Sequence, residues 1–412
     1  MHIIGAGISG LSAACFATNV GTPVELYESS RNAGGRCRSF FDKTINDTID
    51  NGNHLIFSAN TNFLELCKII SAENKYKKYK PHFNFFDYAS MKEWTFRLPY
   101  SYFPWWIFFE KYRIPNTNLK DYVHLSKLFF LKKEDTVENI FSPDTKLFKM
   151  LLEPLTLGIL NTDTKNASAY LLWNVLKKTF LKGGKFCEIY QPKLNWSDSL
   201  INPCLNFLKR KSSKIIYGQT LRNIDVENNH VTKISFNNYE KKIKKTEEVI
   251  IAIPPSNFEK IYPIFKLPNE YNTIINIHFK FLLKTHKQII PIIGLINSKT
   301  HWIFIKHNCI SVTISSANQL NDTEPSKLAQ IVLKEVRTCL KIDQKSIPLY
   351  KILKEKKATY NQSPKNNNLI KKINMLPQNL KIAGDWTESN FPSTIETSIL
   401  SGKNSLKKNK YL

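Results

Sequence analysis

A glycine-rich run opens the chain, at the end of its first short apolar stretch. Gly5 permits a tight turn out of a strand, Gly7 lets a ligand approach the backbone, and Gly10 lets the following helix pack close to its sheet. Glu28 ends the next apolar stretch, where a carboxylate can accept a hydrogen bond from a ribose 2′-hydroxyl and would repel a 2′-phosphate. The run therefore predicts a dinucleotide site on a strand–turn–helix unit and disfavours NADP.

A second motif, Gly34-Gly35-Arg36, follows shortly after Glu28. Paired glycines let backbone run against a cofactor, and Arg36 can donate charge-assisted hydrogen bonds to phosphate. A unit that binds only NAD has no need of this motif. Alone it would indicate an ordinary exposed turn, but beside the glycine-rich run it favours a second contact with the same ligand.

The remaining cofactor residues come from near the other end of the chain. An apolar run ends at Gly384 and Asp385, and a new helix begins at Thr394. Asp385 can hydrogen-bond the ribityl hydroxyls of a flavin, and the amides at Thr394 and Ile395 can stabilise the charge of a reduced flavin. We therefore expect FAD as the cofactor, with Leu221 assigned to the same binding set.

The length and the cysteine pattern narrow the class of protein. The chain has 412 residues, enough for two or more packed domains. Its seven cysteines are scattered without a CxxC pair and its histidines do not cluster, so we expect a reducing compartment and no metal site. Cys37, beside Arg36, is either a thiol of lowered pKa or, as we expect, a spectator.

The start of the chain and its hydropathy bear on location. The first predicted strand begins two residues after Met1, which leaves no room for a cleaved signal peptide. No apolar run has the length that spans a bilayer. We therefore expect a cytoplasmic protein that is soluble or peripheral on the inner face of the membrane.

The formal net charge is +25, mostly from lysine. Nucleic-acid binding, an anionic membrane surface and a compositional bias toward Lys, Asn and Ile all compete to explain it. The lysines are spread widely and no nucleic-acid-binding module is present, so nucleic acid ranks last and we expect none as a partner. A membrane surface stays open as a partner.

Hydrophobic patterning places the other elements. Strands are predicted at 214–217, 248–253 and in alternating stretches from about 271 to 315, and a helix at about 325–340. The lysine- and asparagine-rich residues 353–372 are predicted to form a surface loop.

Aromatic residues crowd the stretch from Phe83 to Phe109. The part from Tyr100 onward is either core or tunnel lining, or a patch that contacts a membrane interface. Pro99 and Pro104 argue against one regular amphipathic helix there.

The motifs at the two ends resemble the flavin-containing amine oxidase and phytoene desaturase superfamily. The interior resembles most closely the squalene-associated flavoproteins, the hydroxysqualene dehydroxylases, and Asn53 stands where that family has glutamine. The residues that carry this closer resemblance are Asp50-Asn51-Gly52-Asn53-His54, Glu153-Pro154-Leu155, Leu160-Asn161-Thr162, Asn166-Ala167-Ser168-Ala169 and Phe391-Pro392-Ser393-Thr394-Ile395-Glu396-Thr397.

The resemblance implies an α/β flavoprotein of the two-dinucleotide-binding type. Its Rossmann-like FAD domain is discontinuous, and its substrate domain is a sheet with a helical cap. We assign residues 1–75, 205–258 and 375–412 to the FAD domain, and residues 76–204 and 259–374 to the substrate domain.

The implied activity is reductive removal of an allylic hydroxyl from hydroxysqualene, with hydride from reduced flavin. Such chemistry needs a proton donor, an electron-rich lining and exclusion of water. Asp50 and His54 are the candidate catalytic residues, although Asp50 can simply orient backbone and His54 can be an ordinary loop histidine. Glu396 is either part of the site or a carboxylate at a helix start.

The resemblance leaves other functions open. A phytoene-type desaturase would transfer hydride in the opposite direction, and an amine oxidase ranks below it. From a different class, the chain could be a flavin-bound or membrane scaffold without turnover. The expected partners are a hydrophobic isoprenoid substrate, a membrane surface and enzymes earlier in squalene synthesis.

Overall fold

The computed structural model describes residues 1–281, 292–306, 309–344, 346–371, 373 and 375–407. Short 3-10 segments and two π-helical turns, Phe148–Leu152 and Ser197–Ile201, supplement the α-helices. Within the described residues the α-helices are α1 (Ile8–Asn19), α2 (Thr61–Ile69), α3 (Leu119–Val123), α4 (Val137–Ile140), α5 (Glu153–Leu160), α6 (Ala169–Lys178), α7 (Asn202–Arg210), α8 (Pro255–Ile261), α9 (Pro325–Leu340), α10 (Pro364–Ile370) and α11 (Ile395–Asn404).

The strands of the same residues build five sheets, two of which are large. In chain order they are β1 (His2–Ile4), β2 (Glu25–Glu28), β3 (Ser39–Asp42), β4 (Asp47–Asp50), β5 (Ile56–Phe57), β6 (Tyr76–Tyr79), β7 (His82–Asp87), β8 (Lys92–Arg97), β9 (Ile189–Pro192), β10 (Lys214–Tyr217), β11 (Leu221–Glu227), β12 (His230–Phe236), β13 (Glu240–Lys242), β14 (Val249–Ile251), β15 (Tyr271–Lys280), β16 (Ile292–Ile296), β17 (Trp302–Ile305), β18 (Cys309–Ile314), β19 (Tyr350–Tyr360) and β20 (Leu380–Ile382).

The first large sheet is parallel throughout, in the order β10-β2-β1-β14-β20. Its central residues Ile3, Leu26 and Ile250 are fully buried, as expected for parallel strands that are covered on both faces. α1 and α11 pack together closely because Gly402 has no side chain. A Cβ at this position would overlap Ser12 Oγ and the Ser9 carbonyl oxygen on α1. The five strands all fall within the three segments that were predicted to form the FAD domain, and the sheet confirms a Rossmann-like architecture.

The second large sheet is mixed, in the order β19-β15-β18-β17-β16-β7-β8, with only β16 and β7 parallel. The predicted alternation in β15 is confirmed, since Ile275, Ile277 and Phe279 are fully buried. α9, at the predicted position, packs against this face through residues such as Val332. The seven strands fall within the predicted substrate domain, so the expected α/β fold class with an α+β second unit is confirmed.

The prediction of a surface loop at residues 353–372 is wrong. These residues contribute most of β19, which is the edge strand of the mixed sheet, and all of α10. Lysine is common on edge strands because its charge blocks further strand pairing. The lysines of β19 therefore gave the segment the composition of a loop, although it is a strand. Ser363 caps α10 by accepting a hydrogen bond from the Asn366 N–H, and Pro364 occupies its first turn. That Ser-Pro pair was a usable helix-start signal.

The aromatic stretch divides into two parts. Phe83, Phe85 and Phe96 on β7 and β8 are buried in a core shared with α5 and α6. From Tyr100 onward the chain forms short 3-10 turns, and several rings are exposed, Tyr102 among them. The expectation that no regular amphipathic helix forms there is confirmed.

Candidate cofactor and substrate site

The glycine-rich run forms the turn between β1 and α1. A Cβ on Gly5, which has φ +102°, would overlap the Ala252 carbonyl oxygen, and a Cβ on Gly10 would overlap the Gly5 carbonyl oxygen. A Cβ on Gly7 would meet no protein atom within 4 Å. Gly5 and Gly10 are therefore required by packing, whereas Gly7 borders open space that a ligand can fill.

The paired glycines lie directly against this turn. The Gly34 N–H donates to the Ala6 carbonyl at 2.8 Å, and Gly34 forms a parallel bridge with Gly7. Gly34 and Gly35 both have positive φ, +104° and +54°, which favours glycine. No side chain caps the start of α1, so its first N–H groups remain available to an anion.

Glu28 is held at the end of β2 against the same turn. Its carboxylate accepts hydrogen bonds from the N–H groups of Ala6 at 2.7 Å and Ser30 at 2.9 Å. The Gln219 N–H donates to the Glu28 carbonyl at 2.9 Å, and Leu221 follows as the buried first residue of β11. Glu28 and Leu221, assigned from the sequence, therefore lie at one end of the parallel sheet.

Arg36 and Asp385 join the two ends of the chain. An Arg36 Nη2 donates to Asp385 Oδ1 at 2.8 Å, and the Arg36 Nη1 donates to the carbonyl of Ala358. The Asp385 charge raises the pKa of Arg36, so the guanidinium is fully ionised. Its side chain is nevertheless 44% exposed, which leaves donors that a phosphate can use.

The closing helix begins where the sequence predicts. Thr394 caps α11 by accepting a hydrogen bond from the Thr397 N–H at 3.2 Å, and Ile395 is its first residue. The Gly384 N–H donates to Ser401 Oγ at 3.0 Å. This bond fixes the exit of β20 relative to α11, so Gly384, Thr394 and Ile395 belong to one rigid corner.

Asp50 lies at the end of β4 in a closed environment. Its carboxylate accepts from Ser39 Oγ at 2.6 Å, from the Trp196 N–H at 3.0 Å and from Lys306 Nζ at 2.6 Å. Burial opposes ionisation, but the Lys306 charge and these hydrogen bonds outweigh it and lower the pKa of Asp50. Asp50 is therefore ionised at neutral pH and is an acceptor in this arrangement.

His54 follows Asp50 in the same loop and is neutral at pH 7. Burial lowers the pKa of His54 to about 4, because the opposing effect of the Asp50 charge is smaller and the charges of Arg36 and Lys306 add to the lowering. Its ring packs edge-on against Trp196 with centroids 5.5 Å apart. Its Nε2 is buried without a hydrogen-bond partner among the described residues.

Asn53, where the resembling family has glutamine, connects this loop to the mixed sheet. Its amide nitrogen donates to Ser311 Oγ at 2.7 Å and to Thr313 Oγ1 at 3.0 Å. Asn276 on β15 donates in turn to the Asn51 carbonyl at 3.1 Å. The shorter amide therefore still bridges the loop and the sheet.

Sequence reasoning missed two residues that organise the site, the half-buried Lys306 and the buried Gln362. Lys306, just after β17, pairs with Asp50, and only its position relative to the folded sheet reveals it. Gln362 donates to the Leu160 carbonyl at 2.5 Å and accepts from the Ser393 N–H at 2.8 Å. It thereby ties the end of α5 to the loop before α11. The Leu160-Asn161-Thr162 motif was a usable signal for this junction, but Gln362 had none.

Glu396 and Cys37 are structural. The Glu396 carboxylate accepts from the N–H groups of Asn62 at 3.1 Å and Phe63 at 2.9 Å, and so caps the start of α2. Cys37 is buried, and burial raises the pKa of its thiol, which confirms a spectator. In the described part of the chain, no cluster of three or more His, Cys, Asp or Glu side chains could hold a metal ion.

The arrangement fits FAD. Gly7 leaves space beside the uncapped start of α1, and Glu28 stands at the end of β2, where a ribose would lie. Arg36 and Asp385 then offer a donor and an acceptor farther along, beside the rigid corner at Thr394. The residues predicted from both chain ends are thus brought to one end of the parallel sheet, where β1, β2 and β20 finish.

Comparisons with known proteins agree with this geometry. The family described as flavin containing amine oxidoreductase matches residues 8–405. The hydroxysqualene dehydroxylase of Zymomonas mobilis is 34% identical over 403 residues, which cover 98% of this chain and 97% of that protein. A zeta-carotene desaturase of Zea mays is 40% identical over only 72 residues, 18% of this chain and 12% of that protein.

Among solved structures, cyclohexylamine oxidase from Brevibacterium oxydans superposes with a TM-score of 0.70. The match covers 98% of this chain and 97% of that one at 12% identity, so it shows the fold alone. The family match spans nearly the whole chain, and the candidate cofactor residues lie together at one end of the parallel sheet. FAD is therefore its cofactor, and the chain is an oxidoreductase of the flavin-containing amine oxidoreductase family, within the hydroxysqualene dehydroxylases.

Proposed function

We propose that this protein removes the hydroxyl group of hydroxysqualene to give squalene and water. The observation that carries the proposal is the likeness to hydroxysqualene dehydroxylase along nearly the whole of both chains. The likeness to a desaturase is confined to 72 residues, which favours dehydroxylation over desaturation.

The cofactor residues are proposed as two groups. Gly5, Gly7, Gly10, Glu28 and Leu221 would hold the adenosine and pyrophosphate part. A second group would hold the rest of the dinucleotide and the flavin: Gly34, Gly35, Arg36, Gly384, Asp385, Thr394 and Ile395. When bound and reduced, FAD supplies a hydride.

The reaction breaks the C–O bond of the substrate and forms a C–H bond at the same carbon. The hydroxyl leaves as water and therefore takes up one proton. We propose that His54 hydrogen-bonds this hydroxyl, because its Nε2 is buried and unpartnered in the described part of the chain. At pH 7 His54 is mostly neutral, so it delivers this proton only from its small protonated fraction, which at a pKa of about 4 is a strong acid.

Asp50 is proposed to act through Lys306. An ionised carboxylate cannot donate a proton, but its pairing with Lys306 at 2.6 Å keeps an ammonium group in the interior. Both charges act on His54, with opposite effects on its pKa. Asp50 thus sets the electrostatic environment of the proposed proton donor.

We also propose peripheral contact with the inner face of a membrane, because the substrate is insoluble in water. Among the described residues, no helix combines the length and apolarity needed to cross a bilayer. Association with enzymes earlier in squalene synthesis would serve the same transfer.

The deciding experiment is anaerobic. Chemically reduced, FAD-loaded protein is incubated with hydroxysqualene, oxidised protein with phytoene, and the lipid extracts are analysed by mass spectrometry. Squalene from the reduced sample is expected. New double bonds in phytoene without squalene would favour the desaturase, and protein that stays colourless after FAD addition would favour a scaffold.

His54→Gln keeps a hydrogen-bonding side chain but removes the proton donor. We expect squalene formation to fall by about 10²-fold or more with unchanged flavin content. His82→Gln, an exposed position on β7, is the matched control. Unchanged turnover in His54→Gln would exclude His54 as the donor.

A further inference from the structure

Six aromatic side chains between β8 and α3 are exposed to solvent. Their exposed fractions run from 40% for Tyr112 to 67% for Tyr102. Burying such rings is worth more than burying most other side chains, so their exposure marks a contact surface. We call this set the aromatic surface: Tyr100, Tyr102, Phe103, Phe108, Phe109 and Tyr112.

Ring contacts make much of the aromatic surface continuous. Phe103 stacks on Phe108 with centroids 6.0 Å apart, and Phe109 and Tyr112 meet at 6.4 Å. The half-buried Trp105 touches both Phe109 and Tyr112, at 6.0 and 5.2 Å. These rings are therefore presented side by side.

The segment beneath the rings is anchored to the core. Trp106 packs against Phe96 at 5.0 Å and Tyr122 at 5.4 Å. The Gly184 N–H donates to the Pro99 carbonyl at 2.6 Å, and a Cβ on Gly183 would overlap the Ser101 carbonyl oxygen. Because backbone and indole fix the segment, its exposed rings are a feature of the fold.

Two lysines lie beside the rings, and the exposed Glu110 is the one acidic residue between Tyr100 and Tyr112. Lys111 Nζ lies 4.8 Å from the Tyr112 ring centroid, and Lys182 Nζ lies 5.1 Å from that of Phe186, which contacts Tyr102. Glu188 is already paired with Lys78 at 2.6 Å. The surface therefore combines apolar rings with cations.

This combination selects the occupant. Rings of Tyr and Trp with neighbouring lysines suit the headgroup region of a bilayer, where each basic residue adds about 1 kcal/mol of attraction to an anionic leaflet. A second copy of a chain with net charge +25 would be repelled. Phe129 and Phe130 are also exposed, and Phe129 packs on Trp173 of α6.

We propose that the aromatic surface docks this protein onto an anionic lipid bilayer. The rings enter the headgroup region, and Lys111 and Lys182 contact phosphate groups. The reason for a membrane partner rests on the proposed function, since an isoprenoid substrate resides in lipid. Docking itself needs no turnover and can be measured without substrate.

The test is co-sedimentation of FAD-loaded protein with vesicles of phosphatidylcholine alone or mixed equally with phosphatidylglycerol. We expect binding to the mixed vesicles that weakens at high salt. Phe103→Ser/Phe108→Ser should weaken it by about tenfold or more, and Lys111→Gln/Lys182→Gln should reduce its salt dependence. All these side chains are exposed, so flavin content and melting temperature should not change.

Phe41→Ser is the matched control, since Phe41 is an exposed aromatic residue on β3, outside the aromatic surface. Equal vesicle binding by the double phenylalanine variant and the parent would overturn the proposal. So would a concentration-dependent dimer, seen by light scattering, that the same variant abolishes. Vesicle binding without squalene formation would instead count against the proposed function alone.

Discussion

Two ion pairs in this protein differ in how much solvent reaches them. Arg36 and Asp385 meet at 2.8 Å with the guanidinium side chain 44% exposed. Lys306 and Asp50 meet at 2.6 Å with their side chains 23% and 4% exposed, against 44% and 10% for Arg36 and Asp385. The first pair joins the cofactor motifs of the two chain ends, and the second joins the loop after β4 to the end of β17 in the mixed sheet.

The difference in exposure separates two tasks. An exposed guanidinium can exchange or share its partner when a phosphate arrives, so the Arg36 pair remains open to a ligand. A buried carboxylate with three protein donors has no such freedom, because losing one donor leaves a desolvated charge. We therefore propose that the Arg36–Asp385 pair, the open pair, serves binding, and that the Lys306–Asp50 pair, the closed pair, serves the structure and electrostatics around His54.

The largest effect, on the free energy of unfolding, is expected when the cation of the closed pair is removed. Lys306→Met leaves the Asp50 carboxylate buried without its cation, and the free energy of unfolding should fall by about 3–5 kcal/mol. Urea unfolding of the flavin-free protein measures this. Lys306→Met/Asp50→Asn should recover much of the loss, since it removes both charges. A loss below about 1 kcal/mol in the single variant would contradict the contrast with Arg36.

A smaller effect, on binding, is expected from the open pair. Arg36→Met should raise the dissociation constant of FAD by about tenfold to a hundredfold, as expected for a lost charged hydrogen bond. It should lower the stability of the flavin-free protein by less than Lys306→Met does, because both side chains of this pair are more exposed than those of the Lys306 pair. Fluorescence titration of the apoprotein with FAD measures the affinity. Arg38→Met, at an exposed neighbouring position, is the control and should leave the affinity unchanged. A large stability loss with unchanged FAD affinity would reverse the assigned tasks.

A third effect, the smallest over any single pH unit, concerns pH. Burial lowers the pKa of His278 to about 3, and the Lys306 charge adds to the lowering. The unfolded chain binds a proton on this residue below its ordinary pKa of 6.5, whereas the folded protein does not until pH 3. The contribution of His278 to the free energy of unfolding is therefore fully present above pH 6.5 and is lost as the pH falls from 6.5 toward 3.

His278→Asn should remove one protonating group and flatten this dependence by at most about 1.4 kcal/mol per pH unit. His230→Asn, a half-buried position on β12, is the control. Urea unfolding measured at several pH values from 7 downward gives the slope of the free energy of unfolding against pH for each variant. Identical slopes in both variants would show that His278 does not contribute.

The two pairs also show what a sequence can reveal. Arg36 and Asp385 lie in motifs whose spacing reflects ligand contacts, so their meeting could be expected from the ends alone. Lys306 is one lysine among many, and its meaning comes from a register between β17 and β18 that no local pattern encodes. The polar strand β19 was missed for a related reason. Its lysines reflect its position at the edge of the sheet and do not follow an alternating hydrophobic pattern.

The packing of α11 against α1 has a consequence for how the protein is made. The Ser401 hydroxyl reaches Ser9, 392 positions earlier, and β20 completes a sheet that β1 began. Contacts of such long sequence separation form late and fold slowly. During synthesis, the parallel sheet therefore stays incomplete, with one edge of β14 unpaired, until the ribosome releases the segment that contains β20. Flavin retention then becomes a sign of finished translation, and a chain that stops before residue 380 should be exposed to chaperones and proteases.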